Sequence, residues 1–152
     1  MLRRLKALGS DIDDLKEVYE KRVRRILEFG TPVFTAGLTV DDSNNIERVQ
    51  RTAAYIILDE DYTSYGDALA VLDLEPLWER RIGICTNFAK KAIKSEKFSN
   101  WFTVNESKEI KNDRKCKEIV IEPTLKPVTS RTKRYRKSLI PYLTDLLNQE
   151  LQ

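Results

Sequence analysis

Chemistry in this chain of 152 residues has to rest on carboxylates, Lys, Tyr, Ser or Cys, because it contains no histidine. Imidazole general bases, histidine-dependent triads, two-histidine zinc sites and histidine-held haem are excluded together. The one acidic doublet resembling a metal-binding pair is Asp41-Asp42, in Thr39-Val40-Asp41-Asp42. A catalytic doublet needs a tight turn between strands and a third carboxylate facing it. Here Ser43, Asn44 and Asn45 follow and a helix begins, so helix capping is the expected role. Asp59-Glu60-Asp61 lacks the glycine-turned loop of a calcium site and reads as a solvated helix end. Cys85 lies on an apolar stripe and reads as a small core residue, and Cys116 as an exposed bystander. With no Cys-x-x-Cys there is neither a disulfide framework nor a thiolate zinc site, which fits an intracellular, reduced setting. No catalytic residue and no metal ligand is assigned.

The bulk numbers describe one ordinary domain: 41% apolar, 34% charged, five Gly and five Pro. No apolar run is long enough to cross a membrane, and Met1 to Ser10 is basic and interrupted, unlike a secretory signal. The formal charge of +3 hides an uneven distribution. Residues 29–77 carry 2 basic and 9 acidic side chains, whereas residues 78–117 carry 11 basic and 5 acidic. Two basic zones thus flank an acidic middle, an asymmetry suited to a polyanion or to electrostatic docking in an assembly. Solvated helix faces are the other explanation.

The elements that must position these groups are mostly helices. Leu2 to Leu8 spaces as a last turn or two closed by Gly9. Ser10 or Asp11 caps a longer helix with Ile12, Leu15, Tyr19, Val23, Ile26 and Leu27 on its apolar face, down to Phe29. Gly30-Thr31-Pro32 ends it, and Pro32 to Leu38 reads as an apolar connection. A third helix, capped by Asp41, Asp42 or Ser43, buries Ile46, Val49, Ala53, Ile56 and Ile57. A short helix over 64–72 precedes a central one opened by Pro76, in which Leu77, Trp78, Ile82, Ile84, Cys85, Phe88, Ala89 and Ile93 cover a wide apolar arc. Residues 105–117 read as a polar loop, and Ile119-Val120-Ile121 as a short strand. Leu139, Leu143, Leu146, Leu147 and Leu151 define a final amphipathic helix that tolerates Pro141 only in its first turn. The expectation is a mainly α fold, a helical bundle of about five helices with at most one short strand near 119–122. Its divisions are a helical region over 1–104, a basic and polar linker over 105–137, and a terminal helix over 138–152.

The order of motifs resembles a specific family. Asp13-Asp14-Leu15-Lys16 leads to Arg25-Ile26-Leu27-Glu28-Phe29-Gly30-Thr31-Pro32-Val33-Phe34, then to Gly37-Leu38-Thr39 and Asn45-Ile46-Glu47-Arg48-Val49-Gln50-Arg51. Ser64-Tyr65-Gly66-Asp67-Ala68-Leu69 and Leu72-Asp73-Leu74-Glu75-Pro76-Leu77 come next, with Glu79-Arg80-Arg81, Phe88-Ala89-Lys90-Lys91, Lys97-Phe98-Ser99 and Ser138-Leu139-Ile140-Pro141-Tyr142-Leu143 in order. Almost end to end, this resembles the region just downstream of the polymerase palm in non-LTR retrotransposon reverse transcriptases, jockey-like ones especially. Phe34 stands where the family has tryptophan, and Asp59 where a glycine often ends the helix.

The resemblance implies a thumb-like helical region and the segment downstream of it, which hold template and primer behind an active site located elsewhere. Polymerisation in that family uses Mg2+ held by palm aspartates, which this chain lacks, so activity of the chain alone is not expected and no cofactor is assigned to it. The implied partners are an RNA/DNA template-primer and the palm domain of the parent polymerase, with no membrane. Candidates for phosphate contact are Arg22, Arg24 and Arg25 on the first long helix and Arg48 and Arg51 on the next. Arg134 and Arg136, in a basic run around Tyr135, either contact nucleic acid or belong to a solvated stretch. Arg80 and Arg81 are assigned a structural role, since arginine forms buried forks well. The alternative function is a stand-alone helical module, derived from a retroelement, that binds nucleic acid or binds a protein through its acidic middle.

Overall fold

The chain is mainly α-helical, as its apolar spacing predicts. The computed structural model describes residues 1–103, 125–129 and 132–150. The strand expected near 119–122, most of the linker over 105–137, Cys116, Arg131 and Leu151 lie outside the described residues. The helices are α1 (Leu2–Ala7), α2 (Ile12–Val18), α3 (Arg25–Glu28), α4 (Thr31–Phe34), α5 (Val40–Leu58), α6 (Tyr65–Val71), α7 (Leu77–Lys94), α8 (Lys133–Arg136) and α9 (Leu139–Glu150). They fall into two compact units, Met1–Ile84 and Cys85–Gln152, with α7 contributing to both. No helix among the described residues is long and apolar enough to cross a membrane.

In the first unit, α1 ends as its glycine predicts. Gly9 takes φ +85°, its N–H donates to the Lys6 carbonyl, and the Ser10 N–H reaches back to Leu5, which satisfies the last carbonyls of the helix. The same device ends α6 without a glycine: Asp73 sits at φ +49°, Asp73 N–H bonds Ala70, and Leu74 N–H bonds Leu69. Leu69 and Leu74 are both buried, supplying the apolar contact that accompanies this cap. Asp59, where the resembled family often has glycine, also adopts a positive φ of 53° as it ends α5, and its carboxylate pairs with Lys6 at 3.3 Å. At the other end of α5 the cap is Thr39 rather than Asp41, Asp42 or Ser43. The Thr39 hydroxyl accepts the Asp42 N–H at 3.1 Å, and the Asp42 carboxylate reaches back to the Thr39 N–H, closing a capping box.

Between α2 and α3 the backbone runs as a π-helical stretch, Tyr19–Arg24. Bonding from i to i+5 takes up extra residues per turn, so every side chain beyond it is rotated out of the 3.6-residue stripe. Leu15 and Tyr19, before or at the stretch, are buried. Beyond it, Ile26 is 76% and Phe29 85% exposed, against the expectation of a continuous buried face. The segment after Gly30 corrects a second expectation. Instead of a connection it forms α4, with Pro32 in the first turn where its missing N–H costs nothing, followed by a tight turn over Thr35–Gly37.

The first core joins Leu15 and Tyr19 to Ala53, Ala54, Ile57 and Leu58 of α5 and to Ala68, Leu69, Leu72 and Leu74. On α5 the buried stripe differs from the expected one by a residue: Gln50 is fully buried, and Val49 is 41% exposed. On α7, Leu77, Cys85 and Ala89 are buried while Trp78, Ile82 and Ile93 are exposed, so the apolar arc is narrower than expected. The second unit packs Cys85, Ala89 and Ala92 with Phe102, Leu125, Leu143, Leu146 and Leu147. Pro141 occupies the first turn of α9. The Asn148 amide there both accepts the Leu125 N–H at 2.9 Å and donates to the Leu125 carbonyl at 3.0 Å, standing in for a backbone partner.

Asp73→Gly is expected to stabilise the first unit by about 0.5–1 kcal/mol in urea unfolding, because glycine adopts the left-handed cap without strain. The weak Asp73–Lys16 contact it removes, at 4.0 Å with Asp73 fully exposed, offsets little of that. Unchanged or reduced stability would show that the cap is not strained.

Candidate nucleic-acid interface

The arginines owe their positions to a buried polar cluster between α2, α5 and α6. Tyr19, wholly buried, donates its phenol proton to Gln50 Oε1 at 2.6 Å. Gln50 Nε2 donates to the Glu75 carbonyl at 2.9 Å and to the Tyr65 hydroxyl at 3.2 Å. Tyr65 in turn donates to Glu47 Oε1 at 2.5 Å. The Glu47 carboxylate also accepts the N–H groups of Leu77 at 3.1 Å and Trp78 at 3.3 Å, so it neutralises two free donors at the N-terminus of α7. Burial pushes the Tyr19 phenol well above its ordinary pKa, with Arg24 opposing. Burial, then the hydrogen bond to Glu47, does the same to Tyr65.

Around this cluster the cations divide into engaged and exposed ones. Arg24, half-buried, is engaged: its Nη1 donates to Glu20 Oε1 at 2.9 Å along the helix. Arg80 Nε donates to Glu28 Oε1 at 2.5 Å and Nη2 to Glu28 Oε2 at 3.5 Å, a fork that ties α7 to the end of α3, and Nη1 lies 3.5 Å from Glu75. The Glu28 hydrogen bond, the largest cause, raises the Arg80 pKa further. Arg81 is 3% exposed and donates from Nη2 to Ser43 Oγ at 2.6 Å. Among the described residues, Arg22, Arg25 and Arg48 are exposed and make no ion pair within 4.0 Å. Arg51 is exposed too, but its guanidinium lies 5.0 Å above the Tyr65 ring, a cation–π contact that orients it.

Arg22 stands in the π-helical stretch and Arg25 opens α3, while Arg48 and Arg51 are on α5; α2, which leads into that stretch, packs on α5, and Tyr19 at the start of the stretch bonds Gln50. Arg134 and Arg136 belong to the second unit, on the single-turn helix α8 capped by Thr132, where Tyr135 is 44% exposed. Glu28, Glu47 and Gln50 carry the site's geometry, and residue type alone did not single them out. Each lies inside one of the family-like motifs, but its side-chain partners are 15 to 52 residues away in sequence. Among the described residues, no three acidic or thiol side chains converge where a metal would sit. No family model matches this chain, and no curated protein or solved structure matches it either.

Gln50→Ala leaves the buried Tyr19 hydroxyl and the Glu75 carbonyl without partners and opens a cavity, so a loss of about 3 kcal/mol is expected in denaturant unfolding. A loss below about 1 kcal/mol would mean that water replaces the amide freely. The raised Tyr19 pKa has a definite sign. Its contribution is fully present below the unfolded value near about pH 10 and is lost as pH rises towards the higher folded value. Tyr19→Phe is therefore expected to flatten the alkaline fall in stability by about 1.4 kcal/mol per pH unit above that point. An unaltered slope would show that Tyr19 ionises in the folded chain.

Proposed function

We propose that this chain is a thumb-like, template-primer-positioning part of a non-LTR reverse transcriptase, and that it binds an RNA/DNA duplex through backbone phosphates without performing chemistry itself. One observation carries the reading. Arg22 and Arg25, in the stretch that runs from Tyr19 into α3, and Arg48 and Arg51, on α5, stand exposed and unneutralised, with Tyr19 tied to α5 by the buried Gln50 amide, whereas neighbouring Arg24 and Arg80 are taken up by carboxylates. Rigid helices presenting guanidinium groups suit sequence-independent phosphate contact, where register matters and base identity does not. Arg134 and Arg136 beside Tyr135 add a second basic segment with an aromatic on which a base would stack. On this reading the catalytic aspartates and their Mg2+ would belong to a palm domain.

A second reading is favoured by Ile26, Phe29 and Val33, which are 76%, 85% and 77% exposed. Apolar side chains at that exposure, close together in sequence, suit a protein partner. Within the polymerase reading that partner is the palm; within the alternative, the chain is a stand-alone interaction module.

Fluorescence anisotropy with a labelled RNA/DNA hybrid separates the two. Phosphate binding requires log affinity to fall with log salt by about 0.7–0.9 per contact. The double variant Arg22→Ala, Arg25→Ala is expected to lower that slope by about 1–2 and to weaken binding alike for every sequence. Salt-insensitive binding, unchanged in the variant, would defeat the polymerase-thumb reading.

A further inference from the structure

The side chain least explained by the fold is Arg81. It is 3% exposed, its only hydrogen bond among the described residues goes from Nη2 to Ser43 Oγ, and its Nη1 is buried there without a partner. An orphaned guanidinium N–H costs far more than an exposed one, so a buried arginine in this state points to an anion that completes it. Arg81 and Ser43 both line a cavity of about 250 Å³ within the first unit, together with Thr39, Val40, Trp78 and Ile82. Ser43 accepts from Arg81, and among the described residues its own hydroxyl proton goes to no acceptor. It is therefore free to donate to the same anion. The Thr39 hydroxyl is already committed to the Asp42 carboxylate.

We propose that this cavity binds a small monocarboxylate with an apolar or aromatic body, its oxygens on the Arg81 guanidinium and Ser43 Oγ and its body against Trp78, Val40 and Ile82. Three observations choose this chemistry over phosphate. The walls are apolar, with Val40 77%, Trp78 52% and Ile82 40% exposed and available to a ligand. Arg81 is the one cation among the residues that line the cavity. A phosphate dianion or a polyphosphate calls for more than one, while a single carboxylate needs only that cation beneath it. The volume suits a small acid or the last residue of a peptide, not a nucleotide with its neighbours. The site is separate from Arg22, Arg25, Arg48 and Arg51, so it stands or falls apart from nucleic-acid binding.

Calorimetric titration of the intact chain tests this with 3-phenylpropanoate, its amide, an acetylated tripeptide ending in phenylalanine with a free carboxylate, and a dinucleotide. The acid and the peptide are expected to bind and the amide not to. A peptide at least about tenfold tighter than the acid identifies a protein C-terminus as the source, and equal affinities identify a free acid. Arg81→Met is expected to abolish binding, and Ser43→Ala and Trp78→Ala to weaken it about tenfold each. The latter two keep the buried cation in place and decide the matter if Arg81→Met fails to fold. Acid and amide binding alike, neither acid binding up to about 10 mM, or unchanged affinity in both Ser43→Ala and Trp78→Ala would overturn the proposal. A dinucleotide that binds more tightly than either carboxylate and loses that binding in Ser43→Ala would also overturn it, in favour of phosphate.

Discussion

A primary amide sealed from water must place its oxygen and both its N–H groups against protein, and in this chain that requirement organises the whole first unit. Gln50 meets it by taking a proton from Tyr19 of the first long helix and giving its own to Tyr65 at the start of α6 and to the carbonyl of Glu75 just before α7. One side chain thereby fixes three helices to α5. Glu47, a turn earlier, completes the arrangement by holding Tyr65 and the first N–H groups of α7. Polar contacts of this kind contribute modestly to net stability when all are made and cost heavily when one is lost. They specify how the helices are set, while apolar contacts among Leu15, Ala53, Ile57, Ala68 and Leu72 supply most of the driving force.

This constraint sorts the charges. Glu20, Glu28, Glu75 and Asp59 hold Arg24, Arg80 and Lys6 in place and leave a subset of guanidinium groups facing solvent. Surface ion pairs are worth little to stability, so the significance of the pattern lies in which cations remain available. A chain with an acidic middle segment does not present a uniformly positive surface, and binding to a polyanion would depend on the positions of a few arginines rather than on net charge. The buried Arg81 belongs to a different class from either group, since no carboxylate among the described residues pairs with it and its Nη1 has no protein partner there.

Much of the architecture was legible in the sequence, for reasons that trace to particular residues. Gly9 marks a left-handed helix end and Pro141 a first turn, and Leu143, Leu146 and Leu147 give the buried face of α9. Other features depended on interactions that spacing does not encode. Nothing local announces the π-helical stretch over Tyr19–Arg24, yet it moves Ile26 and Phe29 from the expected core to the surface. Val49 and Gln50 are neighbours on α5, and an apolar count favours burying valine; the amide is buried because Tyr19, Tyr65 and Glu75 converge on it. Pro32 suggested an irregular connection, but proline is equally at home in the first turn of a short helix. The candidate arginines were visible as residue types. The one among them that a carboxylate engages, Arg24, is held by Glu20 only four positions earlier, whereas the partner of Arg80, which the sequence assigned a structural role, lies 52 positions away at Glu28.

Photochemical crosslinking of the intact chain to an RNA/DNA hybrid, with the attached peptides identified by mass spectrometry, tests the central claim most directly. Crosslinks are expected in the peptides that contain Arg22 and Arg25 and in those that contain Arg48 and Arg51, suppressed by high salt. Crosslinks absent from both helices, or present there and indifferent to salt, would contradict a phosphate-binding role for these arginines.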